Sequence, residues 1–183
     1  MNKREHIEAE QKRLLWDARR RNDPVLVRAG DELCRLLKRP ECAAILKDLG
    51  VNGWSRGGCI VLAKALKTVF GKDAQIISLV ELHESGDLQH HAAVEFKGMA
   101  WDENGACDMR TWLKWWHLEL EKGWPAWSAE NVMAQPFDFD RCEMLDDPEA
   151  SSRLAGLFAT LAPEAERRPS RPLNARRARE NRP

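Results

Sequence analysis

Residues 90–105, "HHAAVEFKGMAWDENG", carry the pattern from which the fold class can be predicted. The first half of this stretch alternates apolar and other side chains, which is typical of a β-strand with one buried face. Lys97 and Gly98 suit a two-residue reversal, and "MAWDENG" then continues as a further strand that ends in a turn. The stretch therefore predicts a β-hairpin, with His91 near the start of one strand and Asp102 at the end of the next.

The segments around this hairpin predict another strand and several helices. "AQIISLVEL" (74–82) is rich in β-formers, and "CIVLAKALKTVFG" (59–71) has helical apolar spacing with a glycine as its C-terminal cap. The segments "GWPAW" and "AQPFDFD" read as irregular. The sum predicts an α+β fold, with helices flanking a small antiparallel sheet. Further helices are expected over 3–21, from an Asp23 N-cap and Pro24 onward, from Pro40 to Gly50, over 109–120 and over 148–161.

The length of 183 residues fits one domain, which we place at residues 1–162. Within it we expect a helical part (1–50), a central core (51–108) and a tryptophan-rich helical part (109–162). Residues 163–183 carry seven arginines against three glutamates and almost no large aliphatic side chain. This tail is predicted to be disordered, and a weak contact with nucleic acid is the alternative to a merely solvated end.

Several classes of protein are disfavoured by the sequence. Lysine plus arginine and aspartate plus glutamate both count 29, so the chain is formally neutral. No export signal opens the chain, and no window approaches the ~20 apolar residues of a membrane span. The five cysteines are scattered without a CxxC pair, which argues against a disulfide framework and favours a reducing cytoplasm. The oligomeric state stays open.

Cys59 is a candidate nucleophile because it follows Gly57 and Gly58 at the head of a predicted helix. The free N–H groups at a helix start favour the thiolate form of a cysteine. The paired glycines would leave room for a substrate backbone and let the chain turn sharply. The Cys59 N–H would point toward a developing oxyanion. The competing interpretation is a small buried hydrophobe.

His91 and Asp102 are the candidate partners of that thiol. Successive side chains of a strand face opposite ways, so His91 and His90 should diverge, and alternation assigns His91 to the cysteine. The tight reversal then brings Asp102 beside His91, where a carboxylate can orient the imidazole. His90 is left as a supporting residue near the strand entry.

The motifs "GGCIVLAKAL", "HHAAVEF" and "WDENG" together resemble the papain-like superfamily of cysteine hydrolases and transferases, and most closely its transglutaminase-like branch. The resemblance covers about residues 54–105. It implies a papain-like core in which Cys59 is the acyl-accepting nucleophile, His91 its base and Asp102 the orienting acid. It also implies a peptide, amide or ester substrate and no cofactor.

The sequence departs from the family pattern at two positions. Ala93 stands where transglutaminase-like chains often carry a tryptophan, and Gly53 stands where papain-like proteases place an oxyanion-hole glutamine. Asn52 or Gln89 could supply the missing donor. Trp54 could line a substrate groove, although an ordinary core aromatic is the competing interpretation.

Two other functions remain open. The chain could be an inactive papain-like interaction module that binds protein or nucleic acid through its helical N-terminus and basic tail. A zinc site is weaker, because adjacent histidines diverge on a strand and no pair has short-loop ligand spacing; its residues would be His90, His91, Asp102 and Cys107. The tryptophans between 112 and 127 are most simply packing.

Overall fold

The computed structural model describes residues 2–82, 88–123, 132–140 and 145–161, so the tail 163–183 and "GWPAW" after its first residue lie outside the described residues. Within these ranges the chain is α+β, as predicted. The helices are α1 (Lys3–Arg21), α2 (Pro24–Leu36), α3 (Pro40–Asp48), α4 (Cys59–Phe70), α5 (Met109–Gly123) and α6 (Pro148–Leu157). The strands are β1 (Gln75–Glu81), β2 (Leu88–Phe96), β3 (Met99–Asp102), β4 (Gly105–Asp108) and β5 (Val132–Pro136).

The hairpin around residues 97 and 98 is confirmed. Lys97 and Gly98 have φ values of 53° and 73°, the positive pair that a two-residue turn of this kind needs. The strands form one antiparallel sheet in the order β4-β3-β2-β1-β5. The hairpin therefore supplies the central part of the sheet.

Two strands were missed by the sequence analysis. β4 is four residues long and follows β3 after only a two-residue turn, so its sequence does not distinguish it from the turn. β5 was read as irregular because it lies at the sheet edge, where its side chains are only half-buried or exposed and show no clean alternation. Among the described residues, the predicted three-stranded sheet therefore has five strands.

Local capping explains where several helices begin and end. Asp23 accepts a hydrogen bond from the backbone N–H of Val25 at 2.8 Å, and Pro24 occupies the first helical position, as expected. Gly71 ends α4 with a φ of 78°, a conformation that glycine adopts without steric cost.

Helices cover both faces of the sheet. The first face packs against α4, with α2, α3 and α6 completing that core, and the second packs against α5 and α1. No helix in the described part of the chain has the length and apolar character needed to cross a membrane. The first face carries Ala92, Val94, Phe96, Met99 and Trp101, and the second carries Ile77, Leu79, Ala93, Ala100 and Cys107.

The pairing of β2 with β3 runs only from Val94↔Trp101 to Phe96↔Met99. His91 and Asp102 both lie beyond the Val94↔Trp101 pair, at the end of the hairpin away from the Lys97–Gly98 turn. The two side chains therefore meet at an end of the hairpin where its strands are no longer held together by the ladder. This is the place at which the start of α4 approaches the sheet.

Candidate active site

Cys59 is positioned by a tight turn over residues 54–58 that leads directly into α4. Gly57 has a φ of 107° in this turn, so the sharp entry predicted for the glycine pair is confirmed there. The prediction that Gly58 leaves space for a substrate backbone is wrong. The Trp54 ring fills that space, and a Cβ at Gly58 would lie 2.9 Å from it.

His91 is positioned by a β-bulge in β2. Leu79 pairs with His91 but Val80 pairs with Gln89, which leaves His90 as an extra residue. The strict alternation used to separate the two histidines is therefore wrong at this point. His90 Nε2 lies 3.1 Å from Glu81 Oε2, so His90 pairs with a different acid and not with Asp102.

The structure brings Cys59, His91 and Asp102 together, and it adds Glu103. His91 Nε2 lies 3.4 Å from Asp102 Oδ2 and 3.4 Å from Glu103 Oε2, and the Cys59 thiol interacts with the same ring. The three predicted residues are closed off from solvent, with exposures of 3% for Cys59, 0% for His91 and 2% for Asp102. The cluster is a buried thiol, an imidazole and two acids.

The charges in the cluster favour an imidazolium. Burial lowers the pKa of His91, but the Glu103 charge and the interactions with Asp102 and Cys59 outweigh burial and raise it to about 10. Burial raises the pKa of Asp102, but its interactions with His91 and with N–H donors bring it below the usual range. Burial and the neighbouring Asp102 charge raise the pKa of Glu103 to about 7.

Two indole groups hold Asp102 through the same Oδ2 atom that lies near His91. Trp112 Nε1 and Trp116 Nε1 donate to Asp102 Oδ2 at 2.7 Å and 2.9 Å, and the Asn104 backbone N–H donates to Oδ1 at 2.8 Å. The Trp116 ring also lies against the His91 ring, with 4.0 Å between centroids. The orienting acid is therefore itself oriented.

Sequence reasoning missed Glu103, Trp112 and Trp116. The tryptophans were assigned to packing, although their four-residue spacing on a predicted helix places both on one face. Glu103 directly follows Asp102, and this adjacency is the signal that could identify it. The sequence does not show which polar atom each of these side chains contacts, because those contacts form only in the tertiary structure.

The residues predicted to bind substrate do not line a common groove. Trp54 is buried in the first-face core, so its ring lies in packing and not along an open groove. Asn52 is exposed. Gln89, the other candidate oxyanion donor, donates to the backbone carbonyl of Asp138 at 3.0 Å.

The four residues considered as zinc ligands from the sequence do not come together in the structure. His90 is occupied with Glu81, and Cys107 packs in the second-face core, where burial raises the pKa of its thiol. The acid and imidazole atoms that do converge belong to His91, Asp102 and Glu103, within 4.8 Å of one another.

Fold and site together define an α+β protein with a buried Cys–His–acid cluster at one end of its sheet. No protein-family model, no curated protein and no solved structure matches the chain. The resemblance of residues 54–105 to the papain-like superfamily therefore stays a prediction.

Proposed function

We propose that the protein is a thiol-dependent acyl-transfer enzyme of papain-like, transglutaminase-like type. Cys59 would be the nucleophile, His91 the proton carrier and Asp102 the residue that orients His91. The observation that carries the proposal is the meeting of these three side chains from α4, β2 and β3 in one buried cluster. A peptide, amide or ester carbonyl is the substrate class that such a thiol attacks.

The reaction begins with the thiolate–imidazolium pair of Cys59 and His91. The thiolate adds to the substrate carbonyl carbon, and the carbonyl oxygen becomes an oxyanion beside the start of α4. His91 gives its proton to the leaving amine or alkoxide as the carbon–heteroatom bond breaks. A thioester on Cys59 remains.

The second half returns the enzyme to its starting state. Water or an amine gives a proton to the now neutral His91 as it attacks the thioester. The acyl group leaves as an acid or an amide, and Cys59 is regenerated as a thiolate beside the imidazolium. Asp102, held by Trp112 and Trp116, keeps the ring in place through both halves.

Cysteine mapping tests the nucleophile directly. The metal-free protein is treated with limiting iodoacetamide at pH 6–7, and the modified cysteines are identified by mass spectrometry. Cys59 should be modified before the described cysteines Cys34, Cys42 and Cys107, and His91→Gln should slow its modification. An unreactive Cys59 contradicts the proposal and favours the inactive interaction module.

Turnover gives the second test, with activated esters and thioesters as substrates. Cys59→Ala should lower turnover by orders of magnitude and leave the far-UV circular dichroism unchanged. Cys42→Ala is the matched control, because Cys42 is also buried and outside any disulfide but packs beside α2, where its sulfur contacts the Leu36 carbonyl. Equal loss in both variants would point to packing damage instead of lost chemistry.

A further inference from the structure

We infer that the same cluster is a binding site for one Zn²⁺ ion, held by His91, Asp102 and Glu103, whose ligand atoms lie within 4.8 Å of one another. Zinc accepts this mixture of imidazole nitrogen and carboxylate oxygen, with a water molecule completing the tetrahedron. An ion bound there would engage His91 and Asp102 and so inhibit the proposed acyl transfer. The inhibition rests on the proposed function, whereas the binding itself does not.

The distances favour a metal ion over direct ion pairing. A charge-assisted hydrogen bond between imidazolium and carboxylate spans about 2.7–2.9 Å. His91 Nε2 is instead 3.4 Å from both Asp102 Oδ2 and Glu103 Oε2. Zinc–ligand bonds of about 2.0–2.2 Å place neighbouring ligand atoms of a tetrahedron about 3.3–3.6 Å apart. Both separations match the edge of a zinc tetrahedron.

The buried polar atoms are also poorly satisfied by the protein. The side chain of His91 is fully buried, and neither of its ring nitrogens has a hydrogen-bond partner of normal geometry among the described residues. Glu103 Oε2 is also buried and also lacks a hydrogen-bond partner among the described residues. Buried polar atoms are otherwise almost always paired, so atoms of this kind call for a ligand. The His91 and Glu103 atoms differ from the other buried atoms without a partner in the described part of the chain, such as Ser78 Oγ and His117 Nδ1, because they belong to side chains that converge on one point.

Charge and enclosure select a small cation. Two carboxylates and a thiol surround a single imidazole, so the cluster holds more potential negative charge than His91 alone can balance. The cluster has almost no solvent exposure, which excludes a large occupant in the closed conformation. A divalent ion would neutralise the excess without needing an open groove.

The supporting hydrogen bonds are those expected of ligating acids. Such acids are usually held by further donors that fix their orientation. Trp112 and Trp116 do this for Asp102, and Ser55 interacts with the Glu103 carboxylate. Because Asp102 Oδ2 already accepts two indole N–H groups, Glu103 supplies the more available oxygen and is the residue to test.

The experiment titrates metal-free full-length protein with Zn²⁺ in competition with a chromophoric chelator. The wild type should bind one equivalent, and Glu103→Gln should bind at least about tenfold more weakly. Glu81→Gln is the matched control, because Glu81 pairs with His90 outside the cluster; its affinity should equal that of the wild type. Circular dichroism checks that both variants fold.

Cobalt substitution supplies a readout that does not depend on Glu103→Gln. The Co²⁺ form should show the visible absorption of a four-coordinate site, and His91→Gln should lose it. The proposal is overturned by no stoichiometric binding, by equal affinity of Glu103→Gln and wild type, or by a cobalt spectrum that is unchanged in His91→Gln. Alkylation of Cys59 in metal-free protein tests the proposed enzyme separately, so zinc binding together with an unreactive Cys59 would contradict only the acyl-transfer proposal.

Discussion

At the scale of single residues, Asp102 depends on the two indole N–H groups that share its Oδ2 atom. Trp112→Phe or Trp116→Phe keeps a buried aromatic ring but removes one donor from a buried carboxylate. Each substitution should lower the free energy of unfolding by about 1.5–3 kcal/mol, the usual range for a hydrogen bond to a charged group. Urea denaturation followed by circular dichroism measures this loss.

Trp16→Phe is the control for these two variants. Trp16 is 57% exposed on α1, and its ring contacts the Arg20 side chain at the surface. Its replacement should change the free energy of unfolding by no more than about 0.5 kcal/mol. A similarly small loss at Trp112 and Trp116 would show that their hydrogen bonds to Asp102 contribute little to the free energy of unfolding.

Local sequence features select Cys59, His91 and Asp102, namely the glycine turn before Cys59 and the Lys97–Gly98 reversal, and these three side chains lie together in the structure. The contacts of Glu103 with His91 and of the two indoles with Asp102 are not given by such local features, because they depend on how the hairpin and α5 pack. The bulge at His90 was also invisible, since it depends on how β1 pairs.

At the scale of elements, α2 and β4 approach each other closely at Gly30. A Cβ at this position would lie 2.5 Å from the Ala106 nitrogen and 2.8 Å from the Ala106 Cβ. Gly30→Ala should therefore destabilise the protein by about 1–3 kcal/mol through overpacking, against its better helix propensity. Thermal or urea unfolding measures the change.

Gly156 gives the opposite expectation for the same substitution. It lies near the end of α6, and a Cβ there would have no neighbour within 4 Å. Gly156→Ala should stabilise the protein by about 0.5 kcal/mol, because alanine is the better helix former. If Gly30→Ala were equally stabilising, the close packing of α2 on β4 would be wrong.

Asp108 caps the start of α5, the helix that carries both indoles. Its Oδ1 accepts from the Thr111 backbone N–H at 3.0 Å and its Oδ2 from the Thr111 hydroxyl at 2.8 Å. Asp108→Ala should cost about 1 kcal/mol at pH 7, and Asp108→Asn should cost less because its side-chain oxygen can still cap.

The Asp108 cap also has a predicted pH dependence. Burial raises the pKa of Asp108, but the bonds from Thr111 and Asn22 and the charge of Arg21 outweigh burial and lower it from 3.8. A lowered pKa adds stability that is present above pH 3.8 and is lost as the pH falls through the folded-state value. The gap between wild type and Asp108→Ala should therefore narrow on acidification below pH 4. An unchanged gap in urea denaturation would contradict the charge contribution.

The helices and strands that bury one face were the ones that the sequence predicted. The helices carry clear apolar stripes and end signals, such as Asp23 and Gly71, and β1 to β3 are mostly buried. β4 and β5 lie at the two edges of the sheet and are short. β4 has only four residues in which to show its alternating burial, and β5 shows no clean alternation. Edge strands take their conformation from their neighbours more than from their own sequence.

At the scale of the whole molecule, the cluster lies where the two cores meet. Cys59 belongs to the core on the first face of the sheet, while Trp112 and Trp116 belong to the core on the second. His91 interacts with residues of both groups. Chemistry at the thiol therefore requires either core to open locally, and the closed form favours a small ion over a substrate.

Reagent size should reveal this opening. In native, metal-free protein, Cys59 should react at least about tenfold more slowly with a fluorescein maleimide than with N-ethylmaleimide, because only the small reagent enters through limited local opening. In urea the two rates should become similar, since unfolding exposes the thiol fully. Rates are measured by quenched labelling and mass spectrometry of the Cys59 peptide. If the ratio of the two labelling rates were the same in native protein and in urea, the cluster would be open in solution. The argument for a metal ion from enclosure would then be lost. The arguments from the ligand distances and from the buried atoms without hydrogen-bond partners would remain.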